Sequence, residues 1–174
     1  MRQSGKPDID AMIRVDHAGE YGAVRIYEGQ RAVMGDRGRL SGEVAHMARQ
    51  EEVHLERFDR MLTERRVRPT LMLPVWRVAG FALGAASALA GEKAAMAVTA
   101  AIETEIDQHY QAQRDALEGR DPALEDTIAL FQEEEVEHRE RAFQHGAREA
   151  PAYPLLSTLV RAGCRAAIRI SEKI

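Results

Sequence analysis

The sequence predicts an all-α fold, a four-helix bundle built from two helical hairpins. Apolar residues recur at the spacing of a helix, and no stretch alternates with the period of two that marks a β-strand. Glycine and proline punctuate these segments, as they do in turns between helices. A lone Glu followed by a Glu-x-x-His motif occurs twice, starting at Glu20 and at Glu103, so the second half of the chain repeats the first.

Size and composition are those of a single-domain protein. The 174 residues predict one domain, residues 1–174, with a core large enough to be stable without disulfides. The net charge of −4 gives no reason to expect nucleic acid as a partner. The single cysteine, Cys164, excludes a disulfide framework within the chain and is interpreted as a small packing residue. Residues 1–9 lack the apolar core of a signal peptide.

The first predicted hairpin comprises helices at residues 8–34 and 42–66. Asp8 is a suitable N-cap for the first of them, and Gly35 is a typical residue at a helix C-terminus. The polar, glycine-containing segment 36–41 predicts a short turn. Helices joined by so short a turn pack against each other in antiparallel orientation.

The second predicted hairpin comprises helices at residues 91–118 and 122–145. Gly119 and Gly146 are the expected stops of these two helices. Asp121 is followed by proline at the first helical position, a combination that favours a new helix start. The order of the hairpin elements therefore matches that of the first hairpin.

Two further segments are predicted to lie at a membrane interface. The linker helix 70–90 is apolar with a single charge, but its proline and small residues argue against a transmembrane span. The C-terminal helix 155–174 is amphipathic, with arginines every four residues at Arg161, Arg165 and Arg169. A basic stripe beside an apolar face is typical of a helix that lies on a membrane. Ordinary bundle core with arginines extending to solvent is the alternative.

The repeated motif predicts a metal site in the middle of the bundle. Residues three apart lie on one helical face, so the Glu and His of each motif can bind the same ion. The six candidate ligands are Glu20, Glu51, His54, Glu103, Glu135 and His138. One Glu from each of two helices, with Glu-x-x-His from each of the other two, is the ligand set of ferritin-like di-metal bundles. Tyr27 and Tyr110 each follow the lone Glu of their half by seven residues and are expected on its face.

The alternative is a centre without metal. Four carboxylates would then share an apolar core, which is unfavourable for each unpaired charge. Two divalent cations balance these charges, and carboxylate with imidazole favours iron or manganese over structural zinc. Glu43 and His46 have the same spacing but lie near a helix start, so they are interpreted as a surface pair. A mostly solvated face, in which any member could still contact a ligand, is expected for Glu52, Glu105, Glu133, Glu134 and Glu137.

Residues 13–23, Ile-Arg-Val-Asp-His-Ala-Gly-Glu-Tyr-Gly-Ala, resemble the signature opening of the demethoxyubiquinone hydroxylase family. Further segments similar to that family are Arg68-Pro69-Thr70, Pro74-x-Trp76, residues 80–85, His109-Tyr110, residues 150–153 and residues 162–165. The resemblance covers nearly the whole chain from Ile13, with no departure at a candidate ligand. It implies that all six candidates bind two iron ions and that Glu51 and Glu135 bridge them.

The same resemblance implies a function. Members of the family are di-iron monooxygenases that use O₂ to hydroxylate the ring of 2-methoxy-6-polyprenyl-1,4-benzoquinol in ubiquinone biosynthesis. NADH is the implied electron donor, although the chain has no glycine-rich dinucleotide motif. His109 and Tyr110 are candidates for an electron or proton relay beside Glu103, or alternatively for hydrogen bonds within the core. An iron-binding protein with ferroxidase activity and a structural bundle or membrane adaptor remain alternative functions.

The implied partners are the polyprenyl benzoquinol, O₂, a membrane surface, an accessory protein of ubiquinone biosynthesis and further copies of the chain. Contact with lipid or the polyprenyl tail is expected for Leu71, Leu73, Val75, Trp76, Phe81 and Leu83. Contact with headgroups is expected for Arg65, Arg66, Arg68, Arg161, Arg165 and Arg169. Eukaryotic members carry a mitochondrial targeting extension that residues 1–9 do not resemble. This favours a bacterial protein or a mature form. The expected location is peripheral, on the cytoplasmic face of a bacterial inner membrane.

Overall fold

A computed structural model describes residues 8–36 and 38–174. Its helices are α1 (Ile9–Met34), α2 (Ser41–Arg65), α3 (Leu73–Leu89), α4 (Glu92–Leu117), α5 (Pro122–Gln144) and α6 (Tyr153–Ser171), with a short 3-10 helix at Ala147–Glu149. No β-strand occurs in this part of the chain, and the predicted all-α bundle is confirmed. Residues 1–7, most of the segment predicted to lack a signal-peptide core, and Arg37 of the first turn lie outside the described residues.

The helix ends follow the local chemistry that predicted them. The Asp8 side chain accepts a hydrogen bond from the backbone N–H of Ala11 at 3.0 Å. Asp121 caps α5 in the same way through the N–H of Leu124, at 3.1 Å. Helix α1 ends at Gly35, whose φ of 60° lies in the region that glycine tolerates. Helix α3 begins at Leu73, three residues later than predicted, and a proline occupies its first turn, where the missing N–H costs no helix hydrogen bond.

Two hairpins, α1 with α2 and α4 with α5, form the bundle. Helix α3 packs along α1, and α6 packs along α4. Two apolar clusters fill the interior, one containing Met47 and Met96 and the other containing Phe58 and Leu124. Along each bundle helix the candidate ligands lie between these two clusters, so the middle of the core is polar and both ends are apolar.

Glycines allow α3 to lie very close to α1. A Cβ atom on Gly84 would lie 1.9 Å from the carbonyl oxygen of Ile26. A Cβ atom on Gly29 would lie 2.2 Å from the carbonyl oxygen of Phe81. Both neighbours are backbone atoms of a helix, so neither can rotate away from an added side chain. The two helices can therefore keep this spacing only with glycine at both positions.

Gly84→Ala is expected to destabilise the protein by about 1–3 kcal/mol or more, because α3 must move away from α1. Gly42→Ala on α2 is the matched control, since no atom lies within 4 Å of its Cβ position. The control should be neutral or more stable by up to about 1 kcal/mol, given the better helix propensity of alanine. Urea unfolding measures both variants. Equal unfolding midpoints for Gly84→Ala and the unmodified protein would contradict the close approach of the helices.

Candidate metal centre

The six predicted ligands lie together in the middle of the bundle, and all are buried. The first group that could hold a metal ion comprises Glu20, Glu51, His54 and Glu135, and the second comprises Glu51, Glu103, Glu135 and His138. Within each group the candidate ligand atoms lie within 4.8 Å of one another. Glu51 and Glu135 belong to both groups, as is required of carboxylates that two ions share.

Several buried polar atoms of this centre lack hydrogen-bond partners. They are both carboxylate oxygens of Glu51, Oε2 of Glu135 and Nδ1 of His138. Nδ1 of His138 lies 3.1 Å from Oε1 of Glu51, but not in the orientation of a hydrogen bond. An unsatisfied buried polar group costs about 1–3 kcal/mol, and coordination to a cation satisfies such atoms. The donor set therefore fits two divalent ions of the kind that prefer oxygen and imidazole nitrogen.

The electrostatics of the metal-free centre favour bound protons. Burial, together with repulsion from Glu135, raises the pKa of Glu51 and of Glu103 well above the usual range. Burial would lower the pKa of His54, but hydrogen bonds with Glu135 and Glu20 raise it to about 12. Burial likewise opposes ionisation of Glu135, yet the adjacent imidazole rings of His138 and His54 lower its pKa to about 2. The pKa of His138 is raised too, against the effect of burial, by its contact with Glu135. Apart from Glu135, these shifts all favour the protonated forms of the ligands.

Metal binding at pH 7 is therefore expected to release at least one proton per chain, because ligands must lose their protons before they coordinate. Anaerobic addition of Fe²⁺ to metal-free protein in weakly buffered solution, followed with a pH-stat, measures the release. A Glu43→Ala variant, altered outside both groups, should release the same number. Release of less than one proton would contradict the protonation of the centre.

Each lone Glu accepts a hydrogen bond from a Tyr on the other hairpin. Tyr27 of α1 donates to Glu103 of α4 at 3.1 Å, and Tyr110 of α4 donates to Glu20 of α1. The residue that comes first on α1, Glu20, pairs with the one that comes later on α4, Tyr110. Helices α1 and α4 are therefore antiparallel. Each Tyr faces the centre, as its seven-residue spacing predicts, but it contacts the Glu of the other half. The hydroxyl groups therefore orient both unshared carboxylates.

His109 and Tyr110, the predicted relay residues, contact different partners. Tyr110 reaches the candidate ligand Glu20. The Nε2 atom of His109 lies 3.1 Å from Oδ1 of Asp16, which also accepts a hydrogen bond from Gln113 at 2.9 Å. Within the described residues, His109 makes no hydrogen bond to any of the six candidates. The relay remains a prediction, with Tyr110 alone in contact with the centre.

Two residues outside the predicted ligand set contact the histidines. Oε2 of Glu134 lies 2.5 Å from Nε2 of His54, and Oε1 of Gln50 lies 3.1 Å from Nε2 of His138. Glu134 is one of the acidic residues expected to be mostly solvated but able to contact a ligand. The role of Gln50 is not predicted from the sequence. Gln50 and Glu134 each directly precede a shared Glu. An alignment of the two repeats therefore places them at equivalent positions, and this is the sequence signal that could have identified Gln50.

Glu105 is buried, which corrects the expectation of a solvated side chain. Its Oε1 atom accepts hydrogen bonds from Nε of Arg161 at 2.5 Å and Nη1 of Arg165 at 2.6 Å. A buried carboxylate requires such cationic partners. Two arginines of the predicted headgroup-facing stripe therefore hold α6 against α4, while Arg169 is exposed.

Glu43 and His46 lie outside both metal-binding groups. Glu43 forms an ion pair with Arg141 of α5 at 2.8 Å. Their interpretation as surface residues rather than ligands agrees with this position. The same Glu-x-x-His spacing thus gives different environments at two places on α2, because the second motif faces the bundle interior.

An apolar cavity of about 500 Å³ lies between α1, α3, α4 and α6. Its wall includes Gly19 and Ile102, the chain neighbours of the candidate ligands Glu20 and Glu103. Cys164 also lines it, and burial raises the pKa of this thiol to about 12. The volume is that of a site for an organic ligand, and the lining is almost entirely apolar.

Large apolar side chains are exposed on the outer surfaces of α3 and α6. They are Val75, Val78, Phe81, Leu89, Leu155, Leu159 and Ile170, with Leu71 just before α3. Leu73, Trp76 and Leu83 are only partly exposed, and the last two line the cavity. None of the helices in the described ranges combines the length and apolar character needed to cross a membrane.

Comparison with known proteins gives consistent matches. A family model described as ubiquinone biosynthesis protein COQ7 matches residues 7–171. A 3-demethoxyubiquinol 3-hydroxylase of Rhodospirillum rubrum is 55% identical over 166 residues, which cover 95% of this chain and 78% of that protein. The human protein named NADPH-dependent 3-demethoxyubiquinone 3-hydroxylase, mitochondrial, is 46% identical over 170 residues, with the same coverage of 95% and 78%. A mitochondrial 5-demethoxyubiquinone hydroxylase of Saccharomyces cerevisiae is 37% identical over 182 residues, again covering 95% and 78%.

Proposed function

Since this chain belongs to the family of the ubiquinone biosynthesis protein COQ7, we propose that it is an O₂-dependent hydroxylase of a demethoxyubiquinol ring. The observation that carries the proposal is the apolar cavity. The residues directly before Glu20 and Glu103 in the chain form part of its wall. A six-ligand centre alone would suit several iron proteins. A cavity of organic-ligand size beside that centre favours an enzyme with an organic substrate.

The centre would hold two iron ions through Glu20, Glu51, His54, Glu103, Glu135 and His138, with Glu51 and Glu135 shared. Iron supplies the electron transfer to O₂ that a closed-shell quinol cannot achieve at a useful rate. The chain supplies the rest. Tyr27 and Tyr110 orient the unshared carboxylates, and the surrounding core excludes water from the centre.

The substrate class follows from the cavity. A polyprenyl benzoquinol has one oxygenated ring and a long apolar tail, and the cavity wall offers almost only apolar side chains and glycine. In this proposal the ring lies at the Gly19 and Ile102 end, near the ligands, and the tail extends between α3 and α6. Trp76 and Leu83 would then contact the tail.

The reaction needs a source of electrons. One oxygen atom of O₂ is inserted into a ring C–H bond, and the other leaves as water. The reaction therefore consumes two electrons and two protons that the substrate does not supply. A reduced nicotinamide is the proposed donor. NADH is the donor implied by the sequence resemblance, whereas the names of the mammalian relatives specify NADPH. Turnover measured with each nicotinamide decides which of them this chain uses.

The direct test is single-turnover hydroxylation. The reduced, iron-loaded protein is mixed with a short-tail demethoxyquinol and ¹⁸O₂, and the product is analysed by mass spectrometry. The expected product contains one ¹⁸O atom, inserted into a ring C–H bond, and is heavier than the substrate by the mass of that atom. Rapid oxidation of iron by O₂ without any hydroxylated product would instead support the ferroxidase alternative.

The outer surfaces of α3 and α6 are proposed to lie on a membrane, from which so insoluble a substrate must be taken. Their exposed apolar residues support this, as do exposed arginines at Arg66, Arg68, Arg77 and Arg169. The cytoplasmic face of a bacterial inner membrane, an accessory protein and self-association remain predictions. They follow from the sequence resemblance alone.

Replacing Val78 and Leu155 by Asp is expected to weaken binding to anionic liposomes at least about 10-fold, because each buried apolar side chain contributes about 1.5 kcal/mol or more. Leu130→Asp on α5 is the control, since Leu130 is also exposed but lies on neither helix. Liposome co-sedimentation measures the effect. Equal loss in the control, or no binding by the unmodified protein, would contradict a membrane surface formed by α3 and α6.

A further inference from the structure

The two histidines of the centre have the same orientation. Nδ1 of His54 faces the centre, 3.1 Å from Oε1 of Glu135, and Nδ1 of His138 faces it 3.1 Å from Oε1 of Glu51. The other ring nitrogen, Nε2, points outward in both cases. A histidine that binds a metal through one nitrogen donates a hydrogen bond from the other, and the acceptor of that bond sets how strongly the ring binds.

The two acceptors occupy equivalent places in the repeat but differ in charge. Nε2 of His54 lies 2.5 Å from the carboxylate of Glu134, and Nε2 of His138 lies 3.1 Å from the amide oxygen of Gln50. Each acceptor precedes a shared Glu and reaches the histidine of the opposite hairpin. One histidine is therefore supported by an acid and the other by a neutral amide.

The rest of the centre is balanced between the two positions. Each group contains one unshared Glu, both shared Glu residues and one His. Each unshared Glu also accepts a hydrogen bond from a tyrosine. Among the described residues, the acceptors Glu134 and Gln50 thus give the two histidines partners of different charge.

We propose that Glu134 and Gln50 are positioning residues that make the two metal positions unequal, with the tighter position at His54. This inference rests on the proposed di-metal centre. A carboxylate acceptor draws the Nε2 proton toward itself and makes Nδ1 a stronger donor to a cation, and its charge shortens and strengthens the hydrogen bond. The amide of Gln50 orients His138 without that added basicity. The first divalent ion therefore binds with Glu20 and His54, and the second binds with Glu103 and His138.

The test is a titration of the metal-free full-length protein with Mn²⁺, with free ion measured by electron paramagnetic resonance. The unmodified protein should bind two ions in two distinct steps. Glu134→Gln should weaken the tighter step by about 10- to 100-fold, the usual effect of losing a partner behind a metal ligand. Gln50→Glu should tighten the weaker step. Glu133→Gln is the matched control, because Glu133 is exposed on the same helix.

Two further measurements assign the steps to positions. His54→Ala should remove the tighter step, whereas His138→Ala should remove the weaker one. With ⁵⁷Fe²⁺, the Mössbauer spectrum of the unmodified protein should change shape between half an equivalent and two equivalents, because the positions fill in turn. The spectrum of Glu134→Gln should keep one shape, because iron divides between both positions from the start. A purely structural role for Glu134 would change thermal stability without dividing the iron between two positions.

The outcomes separate this inference from the proposed function. Two ions that bind the unmodified protein with equal affinity would overturn the proposed difference between the two metal positions. So would equal effects of Glu134→Gln and Glu133→Gln, and both results would leave the di-metal centre intact. Loss of the tighter step in His138→Ala instead of His54→Ala would overturn it as well. An unmodified protein that binds no divalent ion would overturn both the inference and the proposed function.

Discussion

Glu51→Ala is expected to lose most of its bound metal and to lower hydroxylation at least about 100-fold. Glu51 belongs to both groups of candidate ligands and is fully buried, so its loss affects both positions. Two cations held without this carboxylate repel each other in a medium of low dielectric constant, where such repulsion is strong. Glu135→Ala, which removes the other shared carboxylate, should have the same effect.

The loss should also appear in stability. A ligand that binds only the folded state stabilises it in proportion to the logarithm of its affinity, and a 100-fold weaker affinity corresponds to about 2.7 kcal/mol. Added Fe²⁺ should therefore raise the unfolding temperature of the unmodified protein much more than that of Glu51→Ala. Metal analysis and anaerobic thermal unfolding measure the two effects.

The control for this prediction is the Glu-x-x-His pair near the start of α2, Glu43 and His46. Glu43→Ala and His46→Ala should retain both metal ions and full activity, because these residues lie outside both groups. The ion pair of Glu43 with Arg141 is partly exposed, and its loss should cost at most about 1 kcal/mol. Full retention of iron by both Glu51→Ala and Glu135→Ala would contradict the assignment of the shared ligands.

Gly22→Leu is expected to reduce quinol hydroxylation about 100-fold or more while iron binding is unchanged. Gly22 lines the apolar cavity, and no atom lies within 4 Å of its Cβ position. A leucine there would extend into the cavity without displacing backbone. Displacement of a substrate by about 1 Å is enough to lower a rate by two orders of magnitude.

Because leucine has a higher helix propensity than glycine, the substitution should not weaken α1. Gly42→Leu on α2, which also has free space at its Cβ position but lies away from the cavity, is the control. The measurements are product formation and the rate at which O₂ oxidises the loaded iron. Hydroxylation that continues at the unmodified rate would contradict the cavity as the substrate site. Equal loss of hydroxylation and iron binding would show that the substitution disturbs the bundle itself.

The sequence alone predicted most of the fold and the six residues of the candidate centre. Helical periodicity and the turn residues Gly35 and Asp121 were sufficient for the hairpins, because capping and turn formation depend on neighbours within a few residues. The repeated motif was sufficient to bring six side chains together. Four carboxylates on inward helical faces have few stable arrangements other than one in which they share cations.

Only the tertiary structure decided which residues meet across helices. A seven-residue spacing predicts that Tyr27 faces the same way as Glu20, but the antiparallel packing of α1 and α4 determines that it bonds Glu103 instead. Gln50 and Glu134 likewise reach histidines on the opposite hairpin. Spacing along one helix specifies a direction, whereas the partner in that direction depends on the register between two helices.

The same reason explains the correction at Glu105 and the cavity. Glu105 has the sequence context of an exposed residue, and its burial depends on Arg161 and Arg165 of a helix more than fifty residues away. The cavity exists because α3 and α6 cover α1 and α4 without filling the space between them. Local chemistry therefore determined the helices and the inward-facing candidate ligands. Long-range packing determined the hydrogen bonds that orient those candidate ligands and the apolar cavity proposed for the substrate.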